Sequence, residues 1–266
     1  MGSSEALVGA LRAAGCVFAE EEAEVLAASA GSAEELEAML ARRVAGVPLE
    51  HVVGWAEFRG LRIVVDEKVF VPRRRTELLV EQGLALAPRN AVVVDLCCGS
   101  GAVATALAAE LPGAEVHAAD VDPAAVRCAR RNLEPRGGHV HEGDLDAALP
   151  ADLRGRVDLL LANAPYVPTA EVPLMPPEAR DHEPLTALDG GADGLDLHRR
   201  IAALAPRWLR PGGYLLIETS RRQAPGTAAA MVVHGMGTAM TRSEELDATV
   251  VIGISAGVSR RRRSST

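Results

Sequence analysis

Three short segments of the chain carry groups whose types and spacing could do chemistry. The first, Asp95-Leu96-Cys97-Cys98-Gly99-Ser100-Gly101, follows the apolar run Val92-Val93-Val94 and opens an alanine-rich stretch. Glycines after a strand let the backbone approach a ligand closely and leave the amides of the next helix free for it, so a nucleotide-like ligand is the expected occupant; a plain tight turn is the alternative. The second is Asp120, at the end of the next apolar run, where a carboxylate can accept both hydroxyls of a ribose. It could instead cap a helix, a task for which Asp122 competes. Asp144, in Glu142-Gly143-Asp144-Leu145, could face an adenine amine or sit in a surface turn.

The third segment is Asn163-Ala164-Pro165-Tyr166, directly after Val157-Asp158-Leu159-Leu160-Leu161-Ala162. An Asn at a strand's carboxyl end offers a side-chain acceptor, a Pro fixes the turn, and together they suit gripping a planar NH2 group. An Asn-initiated turn with a core Tyr is the alternative. The first two segments leave a nicotinamide dinucleotide and S-adenosylmethionine equally open. The third favours S-adenosylmethionine, because hydride transfer has no use for an amide grip at that place. No metal is expected: His117, His139, His141, His182, His198 and His234 lack ligand spacing, and Cys16, Cys97, Cys98 and Cys128 contain no C-x-x-C pair.

These groups need elements to hold them. From Ser4 to about Gly46 the apolar residues fall at helical spacing, with Ser32 and Glu35 forming a capping box. Val52 to Val71 roughly alternates around an Arg59-Gly60 turn and predicts a hairpin. Helices are expected over about Thr76 to Leu86, from the first glycine loop to about Leu111, over Pro123 to about Leu133, and over Leu195 to Leu209, the last stopped by Pro211-Gly212-Gly213. Strands are expected at Val92 to Val94, Glu115 to Ala119, His139 to Glu142, Val157 to Ala162 and Tyr214 to Glu218. Near-continuous apolar strands between helices predict a parallel sheet covered on both faces, an α/β fold. The expected organisation is a helical domain over 1–50, a β-hairpin linker over 51–72, a catalytic domain over 73–255 and a basic flexible tail over 256–266, with Arg260 to Arg263 solvated.

Composition narrows the function. With 48% hydrophobic and 24% charged residues in 266, the chain is globular rather than disordered or fibrous. Its net charge of -8 and 3% aromatics disfavour a protein that coats nucleic acid or stacks single strands. Acidic residues Glu20, Glu21, Glu22 and Glu24 break any early secretory pattern, and no apolar run reaches membrane length. A soluble cytoplasmic monomer with reduced thiols is expected.

The same segments, together with Gly46-Val47-Pro48-Leu49-Glu50-His51-Val52-Val53-Gly54, Glu57-Phe58-Arg59-Gly60-Leu61, Thr76-Glu77-Leu78-Leu79-Val80-Glu81 and the run Glu183-Pro184-Leu185-Thr186-Ala187-Leu188-Asp189-Gly190-Gly191-Ala192-Asp193-Gly194-Leu195, give the chain a resemblance. From roughly Arg42 to Ile254 it resembles the HemK/PrmC family of S-adenosylmethionine-dependent protein-(glutamine-N5) methyltransferases, which modify the Gly-Gly-Gln glutamine of peptide chain release factors. The resemblance implies a Rossmann-like class I methyltransferase sheet behind a small N-terminal helical domain that docks the release factor. It implies that Asp95, Cys97, Gly99, Ser100 and Gly101 line the methionine and ribose part of the cofactor, that Asp120 holds the ribose, and that Asp144 and Leu145 lie by the adenine. Asn163, Ala164, Pro165 and Tyr166 would form the glutamine pocket, with Asn163 also beside the cofactor. The chain departs from the family pattern at Cys97 (a glycine), Ala164 (a proline), Arg74 and Arg75 (Pro and Glu) and Ser220 (a glycine). The alternatives are a divergent relative acting on another protein, on adenine N6 of nucleic acid or on a small molecule, and a silent cofactor-binding module.

Overall fold

The computed structural model describes residues 2–256. The Arg260 to Arg263 run and nearly all of the expected basic tail lie outside the described residues. Four helices open the chain: α1 (Gly2–Ala13), α2 (Ala19–Ser29), α3 (Ala33–Val44) and the short α4 (Leu49–Val53). Leu7, Leu11, Ala19, Ala23, Leu26 and Val52 bury against one another as a small core of their own. Ser32 caps α3 by accepting the Glu35 N–H at 3.1 Å, but Glu35 reaches back to the Gly31 N–H at 2.7 Å rather than closing the reciprocal box on Ser32 itself.

The hairpin is shorter than the alternating pattern suggests. Only β1 (Trp55–Phe58) and β2 (Leu61–Val64) pair, antiparallel, because Val52 and Val53 belong to α4 and the chain after Val64 turns irregular. Phe58 and Ile63 bury in the same core as Leu79 of α5 (Glu77–Leu86), Ala104 and Val126.

The remainder builds one sheet. β3 (Val92–Leu96), α6 (Ala102–Glu110), β4 (Glu115–Asp120), α7 (Pro123–Leu133), β5 (His139–Glu142) and β6 (Val157–Ala162) follow in chain order. α8 (Pro177–His182), α9 (Asp196–Trp208), β7 (Leu209–Thr219), α10 (Ala224–Val233), β8 (Met236–Ser243) and β9 (Ala248–Ser255) complete it. The order across the sheet is β5-β4-β3-β6-β7-β9-β8; pairs among the first five strands are parallel, while β9 is antiparallel to both β7 and β8. Every residue of β3 and β6 is buried, which is what strands covered on both faces require. One core lies on the side of α5, α6 and α7, the other on the side of α9 and α10.

Two expectations are corrected. α9 ends at Trp208, and β7 already begins at Leu209, pairing with Val157 before running through Pro211-Gly212-Gly213 as an irregularity and resuming at Tyr214 opposite Leu159. The Pro-Gly-Gly signal therefore marks a break in strand register, not a loop between helix and strand. Beyond Glu218, the last sequence-assigned strand end, lie α10 and the β8–β9 pair. Arg210 sits in β7 and ion-pairs with Asp158, whose other oxygen accepts the Val92 N–H at 2.8 Å.

Candidate active site

Sheet register alone brings the chemistry together. Leu96 pairs with Ala119 on one side and Ala162 on the other, Asp120 pairs with Glu142, and Ala162 pairs with Ile217. The residues at the carboxyl ends of adjacent strands are therefore Glu142, Asp120, Cys97, Asn163 and Glu218, in a row. Crevices outside the carboxyl ends, where strand order reverses, are where open α/β sheets bind ligands. A cavity of about 320 Å³ lies there, lined by Asp95, Cys97, Gly99, Ser100, Asp120, Asp144, Leu145, Asn163, Ala164, Pro165 and Tyr166. Of the sequence-predicted residues only Gly101 is missing from its wall.

Gly101 has a steric task instead. It sits at φ 76°, at the start of α6, and a Cβ there would meet the Ala129 Cβ at 3.0 Å, so glycine lets α6 close on α7 behind the loop. The loop is held from α7 by Asn132, whose Nδ2 donates to the Ser100 carbonyl at 2.9 Å and to the Val64 carbonyl at 2.9 Å, while its Oδ1 accepts the Val64 N–H. Asp122 caps α7 by accepting the Ala124 N–H at 2.8 Å, which leaves Asp120 for other work. Asp120 accepts the Gly99 N–H at 2.8 Å and the Asp122 N–H at 2.9 Å, so its carboxylate is fixed with lone pairs to spare. Burial pushes its pKa up.

Asp95 is 2% exposed and accepts the Ala104 N–H at 3.2 Å. Burial pushes its carboxyl up to about 8, with the Ala104 hydrogen bond opposing the rise and the Asp120 charge adding to it. Cys97 takes φ 57° and packs against the core on the α9 and α10 side, and burial drives its thiol far above the ordinary value, so it stays protonated. Asp144 lines the cavity but also accepts from Arg200 Nη2 at 2.7 Å on the exposed side, and Leu145, at φ 52°, is buried beside it.

The turn after β6 is braced from three directions. Asn163 Nδ2 donates to Thr76 Oγ1 at 3.1 Å, and Ala164 is buried at 1%. Gln223 Nε2 donates to the Tyr166 carbonyl at 2.8 Å and the Asp193 carbonyl at 3.0 Å, while Ser220 Oγ holds Gln223 Oε1 at 2.6 Å. The Glu183 to Leu195 run lies against the turn: Gly190 N–H donates to the Val167 carbonyl at 2.8 Å. Gly194, at φ 74°, sits where a Cβ would meet the Tyr166 carbonyl oxygen at 2.2 Å, which explains why a glycine stands there. Tyr166 is half-buried; burial and the Glu218 charge push its hydroxyl up to about 12, so it remains a neutral phenol.

The arginines at the entrance are already engaged. Arg73 donates to the buried Glu183 at 2.5 Å, which also accepts the Val71 N–H at 3.1 Å. Arg74 pairs with Glu245 at 3.2 Å on the surface, and Arg75 lines the cavity with its Nε 3.8 Å from Glu218. Sequence reasoning singles out neither Thr76 nor Gln223. Both act through contacts between segments far apart in the chain, and only the Asn163 and Tyr166 they brace carry a local signal.

The donor set fits a cationic, ribose-bearing ligand. Four acidic side chains, Asp95, Asp120, Asp122 and Asp144, line the cavity, and a sulfonium or an ammonium group is what their ionised forms attract, Asp95 joining them only above about pH 8. A pyrophosphate would face the same carboxylates.

The methyltransferase small domain family matches residues 64–175. The release factor glutamine methyltransferase of Mycolicibacterium smegmatis is 38% identical over 91% of this chain and 92% of its own length. That of Geobacter sulfurreducens is 44% identical over 72% of this chain and 68% of its own. A methyltransferase structure from Pyrococcus furiosus, 16% identical, superposes with a TM-score of 0.58 over 82% of this chain and 98% of that one, a likeness of fold. The chain, with its methyltransferase sheet and its Asn-x-Pro-Tyr turn beside a carboxylate-lined cavity, belongs to the release factor glutamine methyltransferase family.

Proposed function

We propose that the chain transfers a methyl group from S-adenosylmethionine to the side-chain amide nitrogen of the Gly-Gly-Gln glutamine in a peptide chain release factor. The observation that carries the reading is the orientation of Asn163: its NH2 group is committed to Thr76, which leaves Oδ1 as an acceptor at the carboxyl end of β6, in the same cavity as Asp95 and Asp120.

S-adenosylmethionine, when bound, supplies an electrophilic methyl carbon on a sulfonium sulfur. Asp120 would hold the ribose hydroxyls, Asp95 the cationic end of the methionine, and Asp144 and Leu145 would flank the adenine. An amide nitrogen is a poor nucleophile because its lone pair is delocalised. Acceptors placed at both of its N–H groups favour a pyramidal nitrogen and are worth most where they are fixed in advance. The Asn163 Oδ1 and the Ala164 backbone carbonyl are those acceptors, and because the second is a backbone group, a side-chain change from proline to alanine leaves it in place. Tyr166 packs on the amide plane. Holding nitrogen, methyl carbon and sulfur in line can supply about 7 to 11 kcal/mol.

The N-terminal helices dock the release factor in this reading, with Val17 and Phe18 exposed at 83% and 65% in the turn before α2. The commitment of Arg73 to the buried Glu183 takes one entrance cation away from phosphate, and the net charge of -8 disfavours a polyanion, so both favour a protein over a nucleic-acid substrate. No helix among the described residues is long and apolar enough to cross a membrane. The test is transfer of a radiolabelled methyl group to a mixture of release factor and nucleic acid. Label that survives nuclease and is lost to protease supports the protein substrate; the reverse overturns it.

A further inference from the structure

Behind Asn163 lies a buried group that the transfer step does not touch. Thr76, 3% exposed, receives the Asn163 NH2 on its hydroxyl oxygen at 3.1 Å. A hydroxyl has one proton and two lone pairs, so Thr76 still has its own proton to give. Glu218 faces it from the end of β7, next in the strand row after Asn163. Glu218 is 1% exposed, and neither carboxylate oxygen has a hydrogen-bond partner of normal geometry among the described residues. The groups that face it are the Thr76 hydroxyl, the Arg75 guanidinium with Nε 3.8 Å away, and the Tyr166 phenol, which feels its charge. A carboxylate kept this dry without a full set of partners calls for a role.

We propose that Glu218 is a positioning residue that acts through the Thr76 hydroxyl to keep Asn163 with Oδ1, rather than its NH2, toward the methyl-accepting nitrogen. The inference rests on the glutamine-amide reading above. An Asn side chain turned by 180° fills nearly the same space with donor and acceptor exchanged, so something must choose between the two orientations. When the Thr76 proton is drawn to an ionised Glu218, Thr76 presents only lone pairs to Asn163, and the NH2 must face it. When Glu218 is protonated or apolar, the Thr76 proton is free to turn to Oδ1, and a flipped Asn163 would oppose an N–H of the substrate with its own N–H. Burial lifts the Glu218 carboxyl to about 7, opposed by the nearby Thr76 hydroxyl and the Arg75 charge. The carboxylate is therefore the acceptor above that pH, and the arrangement is lost below it.

The test uses the full chain labelled with 15N at asparagine, followed by NMR through a pH titration, beside kcat measured at saturating cofactor. In the wild type, the Asn163 NH2 resonances should move with a midpoint near pH 7, and kcat should fall on the acid side of it while cofactor affinity stays constant. Glu218→Gln, which keeps an acceptor oxygen but cannot ionise, should abolish both titrations. Thr76→Val should lower kcat on the order of a hundredfold with cofactor affinity unchanged. Thr76→Ser should restore it. An Asn163 resonance that titrates alike in wild type and Glu218→Gln overturns the proposal, as does Thr76→Val with wild-type kcat. Because the resonance needs no substrate, a protein whose Asn163 titrates with Glu218 yet methylates no release factor contradicts the substrate reading and leaves the coupling standing.

Discussion

The Gly99 N–H donates to Asp120 Oδ2 at 2.8 Å, tying the loop after β3 to the end of β4. In the proposed site one carboxylate would both shape the loop and hold the ribose, and the two duties separate on substitution. Asp120→Asn keeps an oxygen for the Gly99 N–H, turns its NH2 toward the Asp122 N–H and loses the charge-assisted bonds to a ribose, so S-adenosylmethionine should bind about 10- to 100-fold more weakly, as charged hydrogen bonds are worth roughly 1.5 to 3 kcal/mol. Asp120→Ala releases both N–H groups and should lower the melting temperature further than Asp120→Asn does. Calorimetric binding alongside thermal unfolding separates the two; equal effects of both variants would contradict the division.

In the proposed site, Asp95 would tie cofactor affinity to pH. Its folded-state carboxyl lies at about 8, above the roughly 3.9 of an aspartate in the unfolded chain. The native protein therefore holds that proton more tightly, and the associated stability is fully present below the unfolded value and is lost as pH rises toward about 8. A cationic ligand wants the carboxylate, so its affinity should climb over the same range and level off above it. Asp95→Asn should flatten both curves relative to wild type, leaving the slope that Glu218 contributes in the same direction. Parallel pH series of binding and melting temperature check this, and identical slopes in the two proteins would refute it.

Arg43 joins the N-terminal helices to the rest of the chain. It is 7% exposed, with Nε 2.6 Å from Glu22 on α2 and Nη1 2.7 Å from Glu178 on α8. Removing one partner of a buried pair strands a charge and costs about 3 to 5 kcal/mol, whereas an exposed pair is worth about 1 kcal/mol or less. The Glu22 side chain is 12% exposed and that of Glu178 is 50%. Arg43→Met should therefore loosen α2 and α3 markedly in hydrogen exchange, and Glu178→Ala should barely register. Comparable exchange in both variants would show that the bridge to α8 carries the stability.

Much of the sheet and part of the candidate site's lining were legible because their signals are local. Val92 to Leu96 and Val157 to Ala162 are apolar except for Asp95 and Asp158, and the residues that follow them, Cys97 and Asn163, are set by the register in one row with Asp120. Asp120 and Asp122 could not be told apart as cap and ligand group until the Ala124 N–H was seen to go to Asp122. Strand β7 was misplaced at its start, since Pro211-Gly212-Gly213 reads as a stop while the ladder to Val157 carries the strand past it. β8 was invisible for a different reason: as an edge strand, most of its side chains are exposed, and small and polar residues mask its period. Thr76, Gln223 and Glu218 act across the fold, so no spacing in the sequence could announce them.

The central claim is that Asn163 grips a glutamine amide for methyl transfer. The most direct measurement is to incubate the protein with S-adenosylmethionine and a release factor expressed without its own methyltransferase, then map the methyl group by peptide mass spectrometry beside an Asn163→Ala control whose cofactor affinity is measured separately. The account predicts a methyl group on the Gly-Gly-Gln glutamine with wild type, none with Asn163→Ala, and near-equal cofactor binding by both. Methylation of that glutamine by Asn163→Ala at the wild-type rate, or a wild type that binds cofactor and leaves the glutamine bare, would contradict it.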